Sequence, residues 1–503
     1  MVYNKPMKIV IVGGGSAGWM SAAFLSRLLG KNYEIQLVES DEISTIGVGE
    51  ATIPAIRTFN SLLKLDEIDF IKKTQATFKL GIKFKDWTRL GHDYYHGFGK
   101  IGREWEHLRA HQYWLKRHLS GDSIDLRALS INSVAPDSNK FMFPKLEMNE
   151  SPLSEIGFAY HLDANLYAKY LREYSQIRGV VRTEGKVVDV KLRPEDGFIS
   201  AIQLENGVSI EGDLFIDCSG FRGLLIEEAL HTGYESWDKW LFCDRAIAVP
   251  CKSSGDFPPY TLSTALENGW QWKIPLQHRT GNGHVYSSEF IDDNKAEDIL
   301  LSGLDGEPTN TPLRLKFSVG KRKKLWNKNC VAVGLAGGFL EPLESTGLYM
   351  IQSAMVRLVR YFPDRSFNQT NIDEFNRQAT FEFERIRDFI VLHYKATERE
   401  ETEFWRKCKY AEIPDTLAAK IELFKANGRV FREADELFAE ESWIQVFLGQ
   451  GIIPKNYDPL VDLKTEQEVK DFLSNMETVI QKCVATMPDH KMFIDRTCKA
   501  PPV

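Results

Sequence analysis

Residues Lys8–Val12 read Lys-Ile-Val-Ile-Val, the loop Gly13-x-Gly15-x-x-Gly18 follows at once, and Glu34–Val38 is a second short apolar run that ends at Glu39. A β-branched run of this kind is expected as a strand buried on both faces. The stretch Trp19–Leu29 has the apolar density of a packed helix and is stopped by Gly30. Strand, glycine turn, helix and strand make a βαβ unit, which sets the fold class as α/β with a Rossmann-like first domain. Glycine at positions 13, 15 and 18 lets backbone N–H groups and a helix N-terminus approach a pyrophosphate, with Ser16 and Ala17 inside the same turn. Glu39 is then placed to accept hydrogen bonds from a ribose 2′-OH. NAD, NADP and FAD proteins all share this fingerprint, and a glycine turn serving only tight helix–strand packing has the same spelling.

Farther along, Val180–Val190 and Ile199–Leu214 read as meandering antiparallel strands with an Asn206-Gly207 turn. Phe215–Gly220 and Cys330–Gly334 are apolar runs expected to return to the first sheet and to end in loops that approach a cofactor. Pro258–Pro275 and Gly283–Phe290 suggest a second sheet, and from about Asn371 the pattern is helical. The expected division is a core over residues 1–370 with an interleaved antiparallel sheet, and a helical substrate-side domain over 371–503. No linker or repeat separates them, so the domains are expected to be interwoven.

Composition narrows the classes. With 503 residues the chain has room for about two to four domains. A formal net charge of −7 argues against nucleic acid or an anionic membrane surface as a partner. The one basic cluster, Lys321-Arg322-Lys323-Lys324, is expected to be a solvated turn, with a docking patch for an acidic partner as the alternative. Seven scattered cysteines without a Cys-x-x-Cys pair fit reduced thiols, not a disulfide framework or a metal site. The first strand is expected to begin within about seven residues, which leaves no room for a charged n-region and an apolar h-region, and no apolar run approaches the ~18 needed to span a bilayer. A soluble cytoplasmic enzyme is the expectation.

Three further segments bear on chemistry. Gly47-Val-Gly49-Glu50-Ala51-Thr52-Ile53-Pro54 is a second glycine-bearing loop soon after Glu39, and Asp217–Gly220 and Gly334-Leu335-Ala-Gly337-Gly338 add backbone-rich loops. Trp270-Gln-Trp272-Lys-Ile274-Pro275 puts two tryptophans on alternate positions. Phe339-x-x-Pro342-x-x-Ser345-x-Gly347 is the third signature. Taken alone, the tryptophans read as ordinary core residues. Together with the fingerprint, these segments resemble the flavin-dependent halogenases, in particular the tryptophan-halogenase family, over nearly the whole chain. His393-Tyr394-Lys395 and Phe404-Trp405-Arg406 support that membership without assigning a role.

The resemblance implies FAD, used as FADH2 from a separate NAD(P)H-dependent flavin reductase, with O₂ and chloride or bromide yielding hypohalous acid. It implies cofactor contacts at Gly49, Ala51, Thr52, Ile53, Pro54, Gly334, Leu335 and Gly347, and halide contacts from the backbone of Thr346 and Gly347. Backbone donors hold an anion without introducing a competing base. It places Trp270, Trp272, Ile274 and Pro275 between flavin and substrate.

It also aligns Lys79, in Thr77-Phe78-Lys79-Leu80-Gly81, with the family's catalytic lysine. The amine would donate a hydrogen bond to hypohalous acid or become a haloamine, and burial favours the neutral form this needs. Glu344 would accept the ring proton and stabilise the cationic ring, with Ser345 coupling the two sides; a carboxylate capping a helix near Thr346 is the plain alternative. His96 and Phe98 would sandwich a flat aromatic ring, with Pro54 and Trp443 also substrate-side, although His96 also reads as a satisfied loop histidine. The stretch Phe431–Trp443 is short and acidic and lacks the paired tyrosines of tryptophan-specific members. Free indole or a larger indole derivative is therefore the expected substrate ahead of free tryptophan. A flavin hydroxylase and a non-catalytic flavin-binding protein are the competing classes, and a homodimer is the base-rate expectation.

Overall fold

A computed structural model describes residues 6–30, 32–42, 49–122 and 124–502. They form two compact units, each gathered from separated stretches of chain: Met1–Gln75, Leu162–Lys239 and Phe317–Phe383 in the first, and Ala76–His161, Trp240–Lys316 and Glu384–Val503 in the second.

The first unit is built on a six-stranded sheet in the order Trp326–Asn327, Cys330–Ala332, Leu214–Asp217, Met7–Val12, Tyr33–Glu39, Val181–Glu184. Its neighbours run parallel except for the Trp326–Asn327 edge. Ile9, Val10, Ile11 and Val12 are all buried, as a strand covered on both faces requires. Val10, Val12 and Phe215 pack with Ile199, Ile202 and Leu204 of a three-stranded antiparallel sheet. The helix Ser16–Leu28 lies against the first two strands, and the helices Ala164–Gln176 and Gly347–Arg360 pack on it. The βαβ unit is thus where the sequence puts it, with the helix starting inside the glycine fingerprint.

Two expectations need correction. Val181–Glu184 does not belong to the meander; it pairs in parallel with Gln36–Glu39, and only Val187–Leu192 continues into the antiparallel sheet. The turn between the next two strands is as expected, with Gly207 at φ +86° and the Val208 N–H donated to Asn206 Oδ1 at 3.1 Å. The basic cluster is not a solvated turn: Lys321 and Arg322 are buried in the strand Gly320–Arg322, which pairs with Tyr234–Ser236 and Gly338–Phe339. Their charges meet Glu235 at 3.2 Å and Glu227 at 2.9 Å, so only Lys323 and Lys324 are exposed.

The second unit carries a seven-stranded sheet in the order Leu313–Lys316, Arg245–Lys252, Arg279–Tyr286, Gly269–Pro275, Thr261–Leu266, Gly81–Lys85, Asp93–Gly97. Because side chains alternate along a strand, the register sets His96, Ile82, Thr261, Ser263, Trp272 and Trp270 on one face. The antiparallel pairing of Thr77–Lys79 with Ala159–His161 also lies in this unit. The helices Glu403–Tyr410, Asp415–Asn427, Glu440–Gly449, Glu466–Thr486 and His490–Thr497 make up much of the rest, in keeping with the helical pattern after Asn371. All seven cysteines are free thiols. Among the described residues no helix is long and apolar enough to cross a membrane.

Candidate active site

The cofactor residues expected from the sequence all fall in the first unit. Gly13 has φ +116°, and a Cβ there would come within 2.2 Å of the Cys218 carbonyl oxygen. A Cβ on Gly14 would overlap the Glu39 carboxylate, at 1.4 Å. Gly15 is the N-cap of the helix Ser16–Leu28 and supplies no side-chain cap, so the first N–H groups of that helix have no side-chain acceptor. Residues 13–17 are only half-buried, whereas Gly18–Leu25 are buried. A tight turn, an uncapped helix start and an opening at that start together fit a pyrophosphate. Glu39 ends the second strand and accepts from Arg182 Nε at 2.5 Å and Trp19 Nε1 at 3.3 Å, with Arg172 at 3.6 Å. These partners fix the carboxylate at the strand end.

Gly47 of the second glycine loop lies outside the described residues. Gly49–Ala51 is a short strand, Thr52 and Ile53 are buried, and Pro54 is the N-cap of the helix Ala55–Leu62. Phe59 of that helix stacks on Phe24 at 5.4 Å, which brings the loop beside the fingerprint helix. Glu50 in this loop is held up at about 7 by burial.

Gly334, at φ +66°, is so close to the fingerprint helix that a Cβ would meet Ala17 Cβ at 2.9 Å and Ile351 at 3.5 Å. Leu335 is half-buried beside it. The chain then runs through the short helical turn Pro342–Glu344 to Ser345, a buried non-glycine residue at φ +59° and ψ 34°. A left-handed serine is strained by roughly 1 kcal/mol, and here it re-aims the chain into the helix Gly347–Arg360. Thr346, the N-cap of that helix, makes no side-chain cap, and a Cβ on exposed Gly347 would meet nothing within 4 Å. A second uncapped N-terminus beside open space therefore fits an anion. Glu344 is fully buried in the same turn.

Of the substrate-side residues, Lys79, His96, Phe98, Trp443 and the Trp270–Pro275 segment fall in the second unit, whereas Pro54 and Glu344 belong to the first. Lys79 is 0 % exposed, and its Nζ stands 5.2 Å from the centre of the Phe98 ring. Its neighbour Phe78 is on the opposite side of the strand, stacked on Phe141 at 4.0 Å. His96 is buried among Phe98, Phe389 and Phe438, at ring separations of 6.3, 5.3 and 5.9 Å. Lys79, Phe98 and His96 are thus brought together. Trp443 is fully buried one ring farther on, 4.8 Å from Phe389, with its indole N–H given to Glu436 at 3.1 Å. Trp270 lies in an aromatic cluster with Trp87 at 6.2 Å and Trp272 at 5.9 Å. Trp272 covers Gly283, where a Cβ would come within 2.0 Å of the indole. Ile274 is buried, and the Pro275 carbonyl accepts the Thr77 hydroxyl at 2.6 Å.

Sequence reasoning missed the polar groups that hold these residues. Asn132 Nδ2 donates to the carbonyls of Leu80 at 2.9 Å and Gly157 at 2.6 Å, and Gln445 bonds Gly97 on both of its backbone groups. Arg322 donates from Nε to the Ala336 carbonyl at 3.1 Å and from Nη2 to the Phe221 carbonyl at 3.3 Å, joining two of the backbone-rich loops.

An α/β unit with two open helix starts, and a separate sheet carrying a buried lysine under an aromatic ring, define the class. The tryptophan halogenase family model matches residues 8–466, and the chain belongs to that family of flavin-dependent halogenases, enzymes that take FADH2 from a separate reductase. Among similar solved structures are Xcc4156, a flavin-dependent halogenase from Xanthomonas campestris, and BrvH, a flavin-dependent halogenase from Brevundimonas sp. BAL3. The first is 46% identical over 99% of this chain and 100% of that one, with a TM-score of 0.96. The second is 44% identical over 99% and 100%, with a TM-score of 0.94. The tryptophan 6-halogenase SttH from Streptomyces toxytricini is 35% identical over 92% of each chain.

Proposed function

We propose that the protein halogenates an indole-type aromatic, free indole or a larger indole derivative in preference to free tryptophan, through Lys79. The observation that carries the reading is a fully buried Lys79 whose amine lies over Phe98, beside His96. Bound at the glycine loops, reduced FAD with O₂ and a chloride or bromide ion supplies hypohalous acid.

Gly13, Gly15, Ser16, Ala17 and Gly18 hold the pyrophosphate, Glu39 the ribose, and Gly49–Pro54 with Gly334 and Leu335 the remainder of the cofactor. The N–H groups of Thr346 and Gly347 hold the halide. The Lys79 amine either donates a hydrogen bond to hypohalous acid or exchanges a proton for halogen, releasing water. The ring carbon of the substrate then takes the halogen, and the Glu344 carboxylate accepts the displaced proton. The expected sandwich is not formed, because His96 and Phe98 stand edge to face at 79°; Phe98, over the Lys79 amine, would border the substrate ring with His96 behind it. Trp270, Trp272, Ile274 and Pro275 form the strand that keeps flavin and substrate apart.

One observation bears on the substrate class. Residues 428–439 form a short irregular segment, and its Glu436 is taken up by Lys420 at 2.8 Å and by Trp443. That leaves this carboxylate engaged within the protein. The test is a panel of indole, tryptophan and larger indole derivatives with FAD, a flavin reductase and bromide, read by mass spectrometry. Brominated indole formed faster than brominated tryptophan is expected; the reverse order overturns the substrate reading. Oxygenated product formed equally well without halide would favour a hydroxylase.

A further inference from the structure

His161, Thr77 and Thr261 form a buried polar chain that the reaction as described does not use. Thr77 Oγ1 lies 2.6 Å from the Pro275 carbonyl oxygen and 3.0 Å from His161 Nδ1, while His161 Nε2 lies 2.9 Å from Thr261 Oγ1. All four residues belong to the second unit. His161 and Thr77 are 0 % exposed, and Thr261 and Pro275 are buried.

The direction of each bond follows from counting protons. A carbonyl only accepts, so the single Thr77 hydroxyl proton goes to Pro275. Thr77 must then accept at its oxygen, and the group facing it is His161 Nδ1, which therefore carries a proton. Burial, with Lys79 and His490 nearby, pushes the imidazole well below its ordinary range, which favours the neutral ring that this proton count requires. A neutral ring protonated on Nδ1 bears a lone pair on Nε2, and that lone pair accepts the Thr261 hydroxyl proton. One tautomer satisfies every partner.

The chain has a definite mechanical effect. Thr77 and Lys79 are two residues apart on one strand and so project on the same side, and Thr77 is the direct cross-strand partner of His161. The bond from Thr77 to Pro275 fastens the lysine-bearing strand to the last residue of the Trp-x-Trp-x-Ile-Pro segment. The bond from His161 to Thr261 fastens it to the adjacent strand of the same sheet. Imidazole nitrogen is itself readily halogenated by hypohalous acid, but here one nitrogen is protonated and the lone pair of the other is engaged.

We propose that His161, held in a single tautomer by Thr77 and Thr261, is a positioning residue for Lys79, registering its strand against Pro275 so that oxidised halogen is passed to substrate and not lost. This rests on the assignment of Lys79 made above.

The test compares wild type with Thr77→Val, His161→Phe and His161→Asn, using FAD, a reductase, bromide and indole. Two quantities are read together: brominated indole per FADH2 consumed, and hypobromous acid escaping to monochlorodimedone in solution. Thr77→Val keeps the shape and removes the hydroxyl; His161→Asn keeps a donor toward Thr77 and loses Thr261. Coupling is expected to fall about fivefold or more in Thr77→Val and His161→Phe, with escaped oxidant rising in step, and His161→Asn lying between them and wild type. Unchanged coupling in Thr77→Val overturns the proposal. So does a parallel fall in product and total oxidant, which would mark a general structural role. Lys79→Ala, run alongside, separates the two readings: if it still brominates indole, the Lys79 assignment fails; if it does not while Thr77→Val stays coupled, only the role of His161 fails.

Discussion

Gln445 pairs with Gly97 as a neighbouring strand would, Oε1 accepting the Gly97 N–H at 2.8 Å and Nε2 donating to the Gly97 carbonyl at 3.2 Å. The edge strand Asp93–Gly97 thus ends against a helix side chain, and Phe98, the ring over Lys79, follows directly. Truncating Gln445 to Ala leaves a buried N–H and carbonyl without these partners. A loss of about 1–3 kcal/mol in stability is expected, measured by denaturant unfolding. The aromatic substrate should also show a raised KM, because the Phe98 loop loses its anchor. A Gln445→Ala protein with wild-type stability and KM would remove this role.

Gly347 allows stability and ligand binding to be separated. Nothing lies within 4 Å of a Cβ built there, so Gly347→Ala should leave the melting temperature unchanged or slightly raised, since Ala favours a helix over Gly by up to about 1 kcal/mol. If the open space is where halide is held by the Thr346 and Gly347 N–H groups, the added methyl enters it. The expected outcome is a several-fold rise in the apparent KM for bromide, obtained from bromide titration of the halogenation rate.

Arg322 spans two loops of the first unit with one planar group, reaching Ala336, Phe221 and the Glu227 carboxylate. Lysine keeps the charge, but its donors sit on a single nitrogen and cannot reach acceptors that Arg322 meets from Nε, Nη1 and Nη2. Arg322→Lys is expected to cost about 2 kcal/mol and to weaken FAD binding several-fold, as followed by flavin fluorescence. Equal FAD affinity in the two proteins would show that these loops hold their shape without it.

What the sequence disclosed follows from where its determinants lie. The βαβ unit is local: Val12, Gly13, Gly15 and Gly18 are neighbours, and periodicity with glycine spacing suffices to read it. The burial of Lys79 was legible locally too, from its neighbours Phe78 and Leu80 together with the motif match of Thr77–Gly81. Lys321 and Arg322 were misread because their partners Glu235 and Glu227 are far away in the chain, and a run of four cations reads as surface unless those carboxylates are known. Val181–Glu184 was misplaced because its pairing partner, Gln36–Glu39, precedes it by well over a hundred residues. His161 gave no signal, since its partners lie 84 and 100 residues away and none forms a local motif with it.

Glu50 yields a prediction with a sign. Burial lifts its carboxyl from the usual 4.5 to about 7, which means the folded protein binds a proton that the unfolded chain has released between those values. Unfolding then releases protons in that window, so stability falls as pH rises from about 4.5 to about 7 and levels off above it. Glu50→Gln removes the titration. Without FAD, the variant should match wild type near pH 5 and exceed it by about 1 kcal/mol at pH 8, a figure reduced from the full shift because Glu50 is only half-buried. Urea unfolding of the apoprotein at the two pH values is the measurement. A stability difference that does not change with pH would mean the Glu50 carboxyl is ionised in the fold, with a proton affinity no higher than in the open chain.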